Sequence, residues 1–108
     1  MNQERIQQLL AYVTEEPGEP FNVYALGMEY LTSQPTQAQH YFDKLLLEHP
    51  TYLPTYYQAA QLCAEMGHRP RAATLYEAGI TLAQAQSNRK IQDELTRALR
   101  ALQDEDED

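Results

Sequence analysis

Three of the residue types that most often form catalytic and metal sites are scarce in this chain, which has three histidines, one cysteine and two serines. No second His or Cys stands four residues from any histidine, the spacing that places two metal ligands on one helix face. Neither serine lies in the Gly-x-Ser-x-Gly turn that exposes a nucleophile. Cys63 shares a helical stripe with Tyr56 and Ala60, as is typical of a buried thiol. The sequence therefore predicts no catalytic residue, no metal site and no cofactor, and we expect a protein that is not an enzyme.

The elements that position these residues follow a pattern that recurs along the chain. Three pairs of matching residues are separated by 33 or 34 positions: Gly27 and Ala60, Ala38 and Ala72, Phe42 and Tyr76. Self-similarity at this interval is typical of stacked helical pairs, because each pair needs its neighbours to bury its apolar face. The pattern favours a docking surface over a catalyst.

The repeated residues resemble the tetratricopeptide repeat (TPR) family. Helix A of that family carries Leu-Gly-x-x-Tyr, matched here by Leu26, Gly27 and Tyr30, and helix B carries Ala-x-x-x-Phe/Tyr before a closing Pro. The second repeat departs from the pattern, with Cys63 where the family has Tyr. The resemblance covers residues 17–84. It implies an all-α solenoid of antiparallel helix-turn-helix units, with about two full repeats between flanking helices.

Helix breakers and apolar spacing predict where the helices begin and end. We expect six helices: about Gln3 to Glu16, Phe21 to Leu31, Pro35 to Glu48, a Thr51-capped helix through Pro54 to Gly67, Pro70 to Ala85, and a helix capped by Ser87 or Asn88 that ends near Leu102. The two repeats then span about 20–50 and 53–84, with flanking helices over about 3–16 and 88–102. Residues 1–103 are expected to form a single domain, and residues 104–108 a disordered acidic tail.

Charge is unevenly distributed along the chain. Residues 1–65 contain eight acids and two bases, residues 66–103 contain three acids and six bases, and residues 104–108 add five acids, for a net charge of −8. Nucleic-acid binding needs a basic surface that contacts the phosphates, and only residues 66–103 carry a net positive charge. We therefore expect no nucleic-acid partner.

The sequence also predicts the cellular compartment of the protein. No apolar run approaches the ~20 residues of a membrane span, and the apolar stripe of residues 1–13 is broken by Gln, Glu and Arg, unlike a signal peptide. A single cysteine, Cys63, at an expected core position suits a reducing compartment. We expect a cytoplasmic protein that does not associate with membranes.

The helix predicted over Phe21 to Leu31 carries more apolar surface than one partner helix can cover. In TPR domains this second face lines a concave groove, so the resemblance implies six partner-binding residues: Phe21, Tyr24, Met28, Leu31, Tyr57 and Gln61. The same stripe is equally compatible with ordinary core packing between repeats. Tyr24 and Tyr57 occupy matching places in the two repeats, and a Tyr offers a large apolar contact with a hydroxyl.

The expected ligand follows from the residues at the groove positions. The carboxylate clamp of some TPR proteins needs Lys, Arg and Asn there, and the matched residues of this chain supply no cation: Tyr24, Met28, Tyr57, Gln61 and Glu65. The leading interpretation is an adaptor or scaffold, a monomer or weak homodimer that binds an apolar or aromatic segment of another protein, either extended or helical. The alternative is a structural subunit whose apolar groove face closes a homo-oligomer or docks in a larger complex.

Overall fold

The structure is a computed structural model that describes residues 2–106 of the chain. Six helices follow one another: α1 (Gln3–Glu15), α2 (Pro20–Tyr30), α3 (Pro35–Glu48), α4 (Pro54–Glu65), α5 (Arg69–Ala85) and α6 (Arg89–Asp106). No residue between positions 2 and 106 belongs to a β-strand. The prediction of an all-α fold with six helices is confirmed.

Proline and asparagine residues set the beginnings of the helices. Pro20, Pro35 and Pro54 are the first residues of α2, α3 and α4, where a fixed φ suits the helix and the missing N–H would have no helical partner. At α1, Asn2 Oδ1 accepts a hydrogen bond from the Arg5 backbone N–H at 3.0 Å. At α6, Asn88 Oδ1 accepts one from the Ile91 N–H at 3.2 Å. These caps explain why the predicted helix starts lie close to the observed ones.

The largest differences between the predicted and observed helix boundaries, of two to four residues, are in α4 and α6. The helix α4 begins at Pro54, so Leu53 rather than Thr51 flanks its first turn. The helix α6 runs to Asp106, so residues 104–106 of the predicted disordered tail are helical, whereas residues 107–108 lie outside the described residues.

An arginine from α5 explains the longer last helix. Arg69 Nη2 donates a hydrogen bond to the Leu102 carbonyl at 2.9 Å, and Arg69 Nη1 lies 3.2 Å from Glu105 Oε2. Acidic side chains near a helix C-terminus are unfavourable with the helix dipole. The guanidinium supplies the positive charge that offsets this effect, and sequence spacing gave no sign of it.

The structure contains two compact units, Met1–Thr55 and Tyr56–Asp108. In the first unit, here called the N-terminal unit, α1 packs on α2 through a cluster of buried apolar residues: Ile6, Leu9, Ala25 and Leu26. An ion pair of 2.7 Å between Arg5 Nε and Glu29 Oε1 joins the same two helices. Because α1 covers the apolar side of α2 that α3 leaves free, it completes the core of this unit.

The contact between α2 and α3 depends on a glycine. A Cβ at Gly27 would lie 2.5 Å from Cε1 of Phe42, whose side chain is almost fully buried. Beside this contact, the rings of Tyr30 and Tyr41 stack with their centroids 5.8 Å apart and their planes 3° from parallel. The glycine therefore lets the backbone of α2 approach the Phe42 ring of α3.

The second unit, here called the C-terminal unit, contains most of α4 together with α5 and α6. A Cβ at Gly79 of α5 would lie 2.8 Å from Tyr56 Cβ in α4 and 3.0 Å from Leu95 Cδ1 in α6. Three helices thus meet at Gly79. Cys63 is buried in α4, as the sequence predicts.

We expect Gly27→Ala to lower the free energy of unfolding. Overpacking against Phe42 costs about 1–3 kcal/mol, and the helix propensity of Ala returns up to about 1 kcal/mol. A net loss of about 1–2 kcal/mol is therefore expected in urea denaturation. Gly18→Ala is the matched control, because no atom lies within 4 Å of a Cβ at Gly18. Equal stabilities for the two variants would contradict the close contact.

A second stability prediction concerns Thr55. Its side chain is fully buried, and Oγ1 has no hydrogen-bond partner among the described residues. Replacing an unpaired buried hydroxyl with a methyl group of similar shape removes a desolvation cost, so Thr55→Val should raise the free energy of unfolding by about 1 kcal/mol. Thr36 also follows the first proline of its helix but is exposed, so Thr36→Val should be nearly neutral. A destabilised Thr55→Val protein would show that the hydroxyl is paired.

Candidate functional site

The residues with potential for chemistry lie apart from one another. His40 is exposed on α3, His49 follows the end of α3, and His68 precedes α5. Among residues 2–105, whose side chains the structure describes, no three His, Cys, Asp or Glu side chains are placed to hold a metal ion. The six partner-binding residues predicted from the repeat are the remaining candidates.

The four predicted groove residues of α2 divide into two kinds. Phe21 and Met28 are 55% and 38% exposed, so both present large apolar side chains to solvent. Tyr24 is half-buried, with its ring centroid 6.2 Å from that of Phe42 and 5.8 Å from that of Tyr52. Leu31, at the C-cap of α2, is half-buried as well. Tyr24 thus contributes to the packing of the N-terminal unit while part of its surface stays accessible.

The two predicted groove residues of α4 line a cleft within the C-terminal unit. Tyr57 is half-buried, and its ring meets that of Tyr76 edge-on at 6.2 Å. Gln61, one helical turn further on, is exposed. The α4–α6 cleft has a volume of about 370 Å³ and is lined by Tyr57, Gln61, Ala64, Glu65, Arg69, Tyr76, Ala98, Ala101, Leu102 and Glu105.

Small residues keep this cleft open. Ala64 comes from α4, and Ala98 and Ala101 come from α6, so no long side chain fills the space between the two helices. A second hollow of about 510 Å³ is lined by Tyr57, Glu94, Arg97 and Ala98. Because Tyr57 and Ala98 line both spaces, the two hollows adjoin. Together they offer an elongated surface along α4 and α6.

The α4–α6 cleft is lined by two carboxylates, Glu65 and Glu105, and by one guanidinium, Arg69. Arg69 is engaged by the Glu105 carboxylate and the Leu102 carbonyl, whereas Glu65 makes no ion pair with any of the described residues. Burial above all, and then the neighbouring Tyr57, Glu65 and Glu105, raise the pKa of Tyr76 to about 12. The phenol therefore stays neutral at physiological pH.

One wall of the α4–α6 cleft could not be predicted from the sequence. The sequence predicts α6 only as a flanking helix outside the two repeats, whereas in the structure Leu95 and Leu102 of this helix are buried and α6 forms one wall of the cleft. Ala98 and Ala101, three residues apart, were the available signal, since small residues at that spacing leave room beside a helix. Arg69 gave no signal, because its partners lie more than 30 residues away in sequence.

The raised pKa of Tyr76 predicts a pH dependence of stability. In the unfolded chain a tyrosine loses its proton near pH 10, and in the folded chain Tyr76 does so near pH 12. Between these values the unfolded state binds fewer protons, so stability must fall as pH rises from 10 to 12. Thermal melts at pH 9, 10 and 11 should show this fall. Tyr76→Phe should make the fall shallower without removing it, because burial also raises the pKa of Tyr41, Tyr52 and Tyr56.

The matched control for this titration is Tyr12→Phe, because Tyr12 is about half exposed in α1. That variant should follow the wild-type profile. A Tyr76→Phe profile as steep as that of wild type would contradict the assignment to Tyr76.

Comparison with known proteins identifies the family. No protein-family model matches the chain, and no significant match is found among curated proteins. Among solved structures, the solution structure of a tetratricopeptide repeat domain protein from Salinibacter ruber is 30% identical and superposes with a TM-score of 0.76, over 80% of this chain and 88% of that one.

Two further structures agree with that match. A crystal structure of a tetratricopeptide repeat domain protein from Salinibacter ruber is 29% identical, with a TM-score of 0.76 over 79% of this chain and 97% of that one. A solution structure of a Bordetella parapertussis protein, 24% identical, shares the fold with a TM-score of 0.79 over 94% of this chain and 89% of that one. With its repeated residues, its six helices and these similarities, the chain belongs to the tetratricopeptide repeat family.

Proposed function

We propose that this TPR protein is an interaction module that receives a segment of another protein in the α4–α6 cleft. The observation that supports the proposal is the pair of adjoining hollows, about 370 and 510 Å³, that share Tyr57 and Ala98. An elongated surface with a rigid aromatic in the middle suits a peptide or a helix better than a small compact ligand.

The chemistry of the cleft supports an apolar or aromatic ligand. Tyr57 is held by its edge contact with Tyr76, so little side-chain entropy is lost when a partner packs on it. Ala64, Ala98 and Ala101 leave space that apolar side chains of the partner would fill. Burial of apolar surface and a preorganised tyrosine are what anchor residues in interfaces provide.

The exposed face of α2 is proposed as a second contact surface. Phe21 and Met28 lie seven residues apart, about two helical turns, and both side chains are exposed. Because both side chains are already partly buried, burying the rest of each against a partner would gain roughly 0.5–1.5 kcal/mol of apolar transfer free energy, before the costs of association. These residues, with Tyr24 and Leu31, complete the proposed partner-binding set. The proposed role is that of a cytoplasmic adaptor without enzymatic activity.

Self-assembly is the alternative, and the exposure of four large apolar residues favours it: Tyr12, Phe21, Met28 and Leu47. A homo-oligomer that buries these side chains would leave no free surface on α2 for another protein. Sedimentation velocity distinguishes the two functions, since a monomer at micromolar concentration keeps these residues available to a partner. A tight dimer that Phe21→Ala dissociates would support the assembly role instead.

The interaction role is tested with a random peptide library displayed on phage. Selected peptides should bind wild-type protein, and Ala101→Gln should weaken binding about tenfold or more, because the longer side chain fills the cleft. Ala78→Gln is the matched control, since Ala78 is exposed on α5 outside the cleft. Equal binding by the two variants would show that the peptides bind elsewhere and would exclude the α4–α6 cleft.

A further inference from the structure

The α4–α6 cleft carries a charge pattern that narrows the class of ligand, and this inference rests on the proposed function. We propose that the cleft receives an arginine or lysine side chain of the partner segment, with the cationic end beside Glu65 and Glu105 and the aliphatic part against Tyr57. The partner is thus a basic residue within an otherwise apolar segment.

The first argument is the imbalance of charges that line the cleft. Two carboxylates, Glu65 and Glu105, face one guanidinium, Arg69. Arg69 makes its contacts to Glu105 Oε2 at 3.2 Å and to the Leu102 carbonyl at 2.9 Å. Glu65 makes no ion pair with any described residue. One negative charge therefore remains uncompensated at the wall of the cleft, and a ligand cation would balance it.

The second argument is the effect of the two carboxylates on the tyrosine between them. Burial is the largest cause of the raised pKa of Tyr76, but Glu65 and Glu105 each raise it further. Both carboxylates therefore act on the same point inside the cleft. Burial at this point penalises a charge of either sign, but the two carboxylates lower that cost for a cation and raise it for an anion.

The third argument concerns the apolar part of a basic side chain. Arginine and lysine carry a long aliphatic stem that packs on apolar surface while the charged end reaches polar groups. The half-buried face of Tyr57 and the small side chains of Ala98 and Ala101 provide such a surface next to the carboxylates. An aromatic face also attracts a guanidinium or an ammonium directly. An acidic ligand, in contrast, would meet two carboxylates, Glu65 and Glu105, beside a guanidinium, Arg69, that already contacts Glu105.

The charge of the whole chain acts in the same direction. The net charge of the chain is −8 at pH 7, and the unit that contains the cleft, Tyr56–Asp108, has nine acids and six bases, for a net charge of −3. A negative net charge attracts cationic segments from a distance and repels anionic ones. The charges that line the cleft and the net charge of the chain thus both favour a positively charged ligand. Binding should weaken as salt concentration rises, because these charges are solvent-accessible.

The test compares charge-neutral variants with peptides selected on wild-type protein from an unbiased phage library. We expect one position of the selected peptides to be enriched in Arg or Lys beside apolar residues. By fluorescence anisotropy, Glu65→Gln should weaken binding about fivefold. Glu77→Gln removes the same charge from an exposed site on α5 outside the cleft, and it should leave the affinity unchanged.

A peptide with citrulline in place of arginine, or acetyl-lysine in place of lysine, completes the experiment. On wild-type protein this peptide should lose about the same factor of five, and on Glu65→Gln it should lose much less, because the paired charge is already absent.

The possible results separate the two proposals. Selected peptides without a basic residue, whose binding Ala101→Gln still blocks, would overturn this inference and leave the interaction role standing. An enriched basic residue with equal affinities for Glu65→Gln and Glu77→Gln would also overturn the inference, because the cation would be recognised elsewhere. A library that yields no binding peptide would contradict both the proposed interaction role and this inference.

Discussion

The close approach of backbones at small residues is the constraint on which each unit depends. At Gly27 the chain has no room for a Cβ because the buried Phe42 ring occupies that space, and at Gly79 it has none because Tyr56 and Leu95 converge. Both glycines occupy helix interiors, where glycine is unfavourable by about 0.5–1 kcal/mol relative to alanine. Packing of a large side chain against bare backbone outweighs that cost, and the aromatic residues around each glycine are then held in place.

The same packing holds the two matched tyrosines, Tyr24 and Tyr57, in place while leaving both half-buried. Tyr24 lies 6.2 Å from Phe42, and Tyr57 lies 6.2 Å from Tyr76, so each repeat uses the same ring contact. One side of each tyrosine supports the fold while the other remains accessible. Of the two possibilities that the sequence left open for this stripe, core packing is therefore observed for part of each ring, and the accessible part remains for the proposed ligand contact. A preorganised ring is better suited to recognition than a mobile one, because less side-chain freedom is lost on binding.

The helices could be predicted from the sequence because local features determine them. The proline starts, the 33- to 34-residue interval and the apolar stripes gave all six helices with ends that are mostly within two residues of the structure. The end of α6 was wrong by four residues because its stabilising partner, Arg69, comes from another helix. For a similar reason, only the α4 side of the cleft could be predicted. Tyr57 and Gln61 followed from the repeat, whereas the wall that faces them belongs to α6, outside the matched residues.

The intrinsic tyrosine fluorescence of the protein can be used to monitor the surroundings of Tyr57, whose ring contacts that of Tyr76. The chain has no tryptophan, so its ultraviolet emission comes from tyrosines alone and is not masked by transfer to an internal indole. Tyr57 lines both hollows along α4 and α6, where it would be among the first rings to sense an occupant. A ligand that carries a tryptophan would accept excitation energy from this ring. Occupancy of the cleft can therefore be followed by the native emission of the chain, without a label.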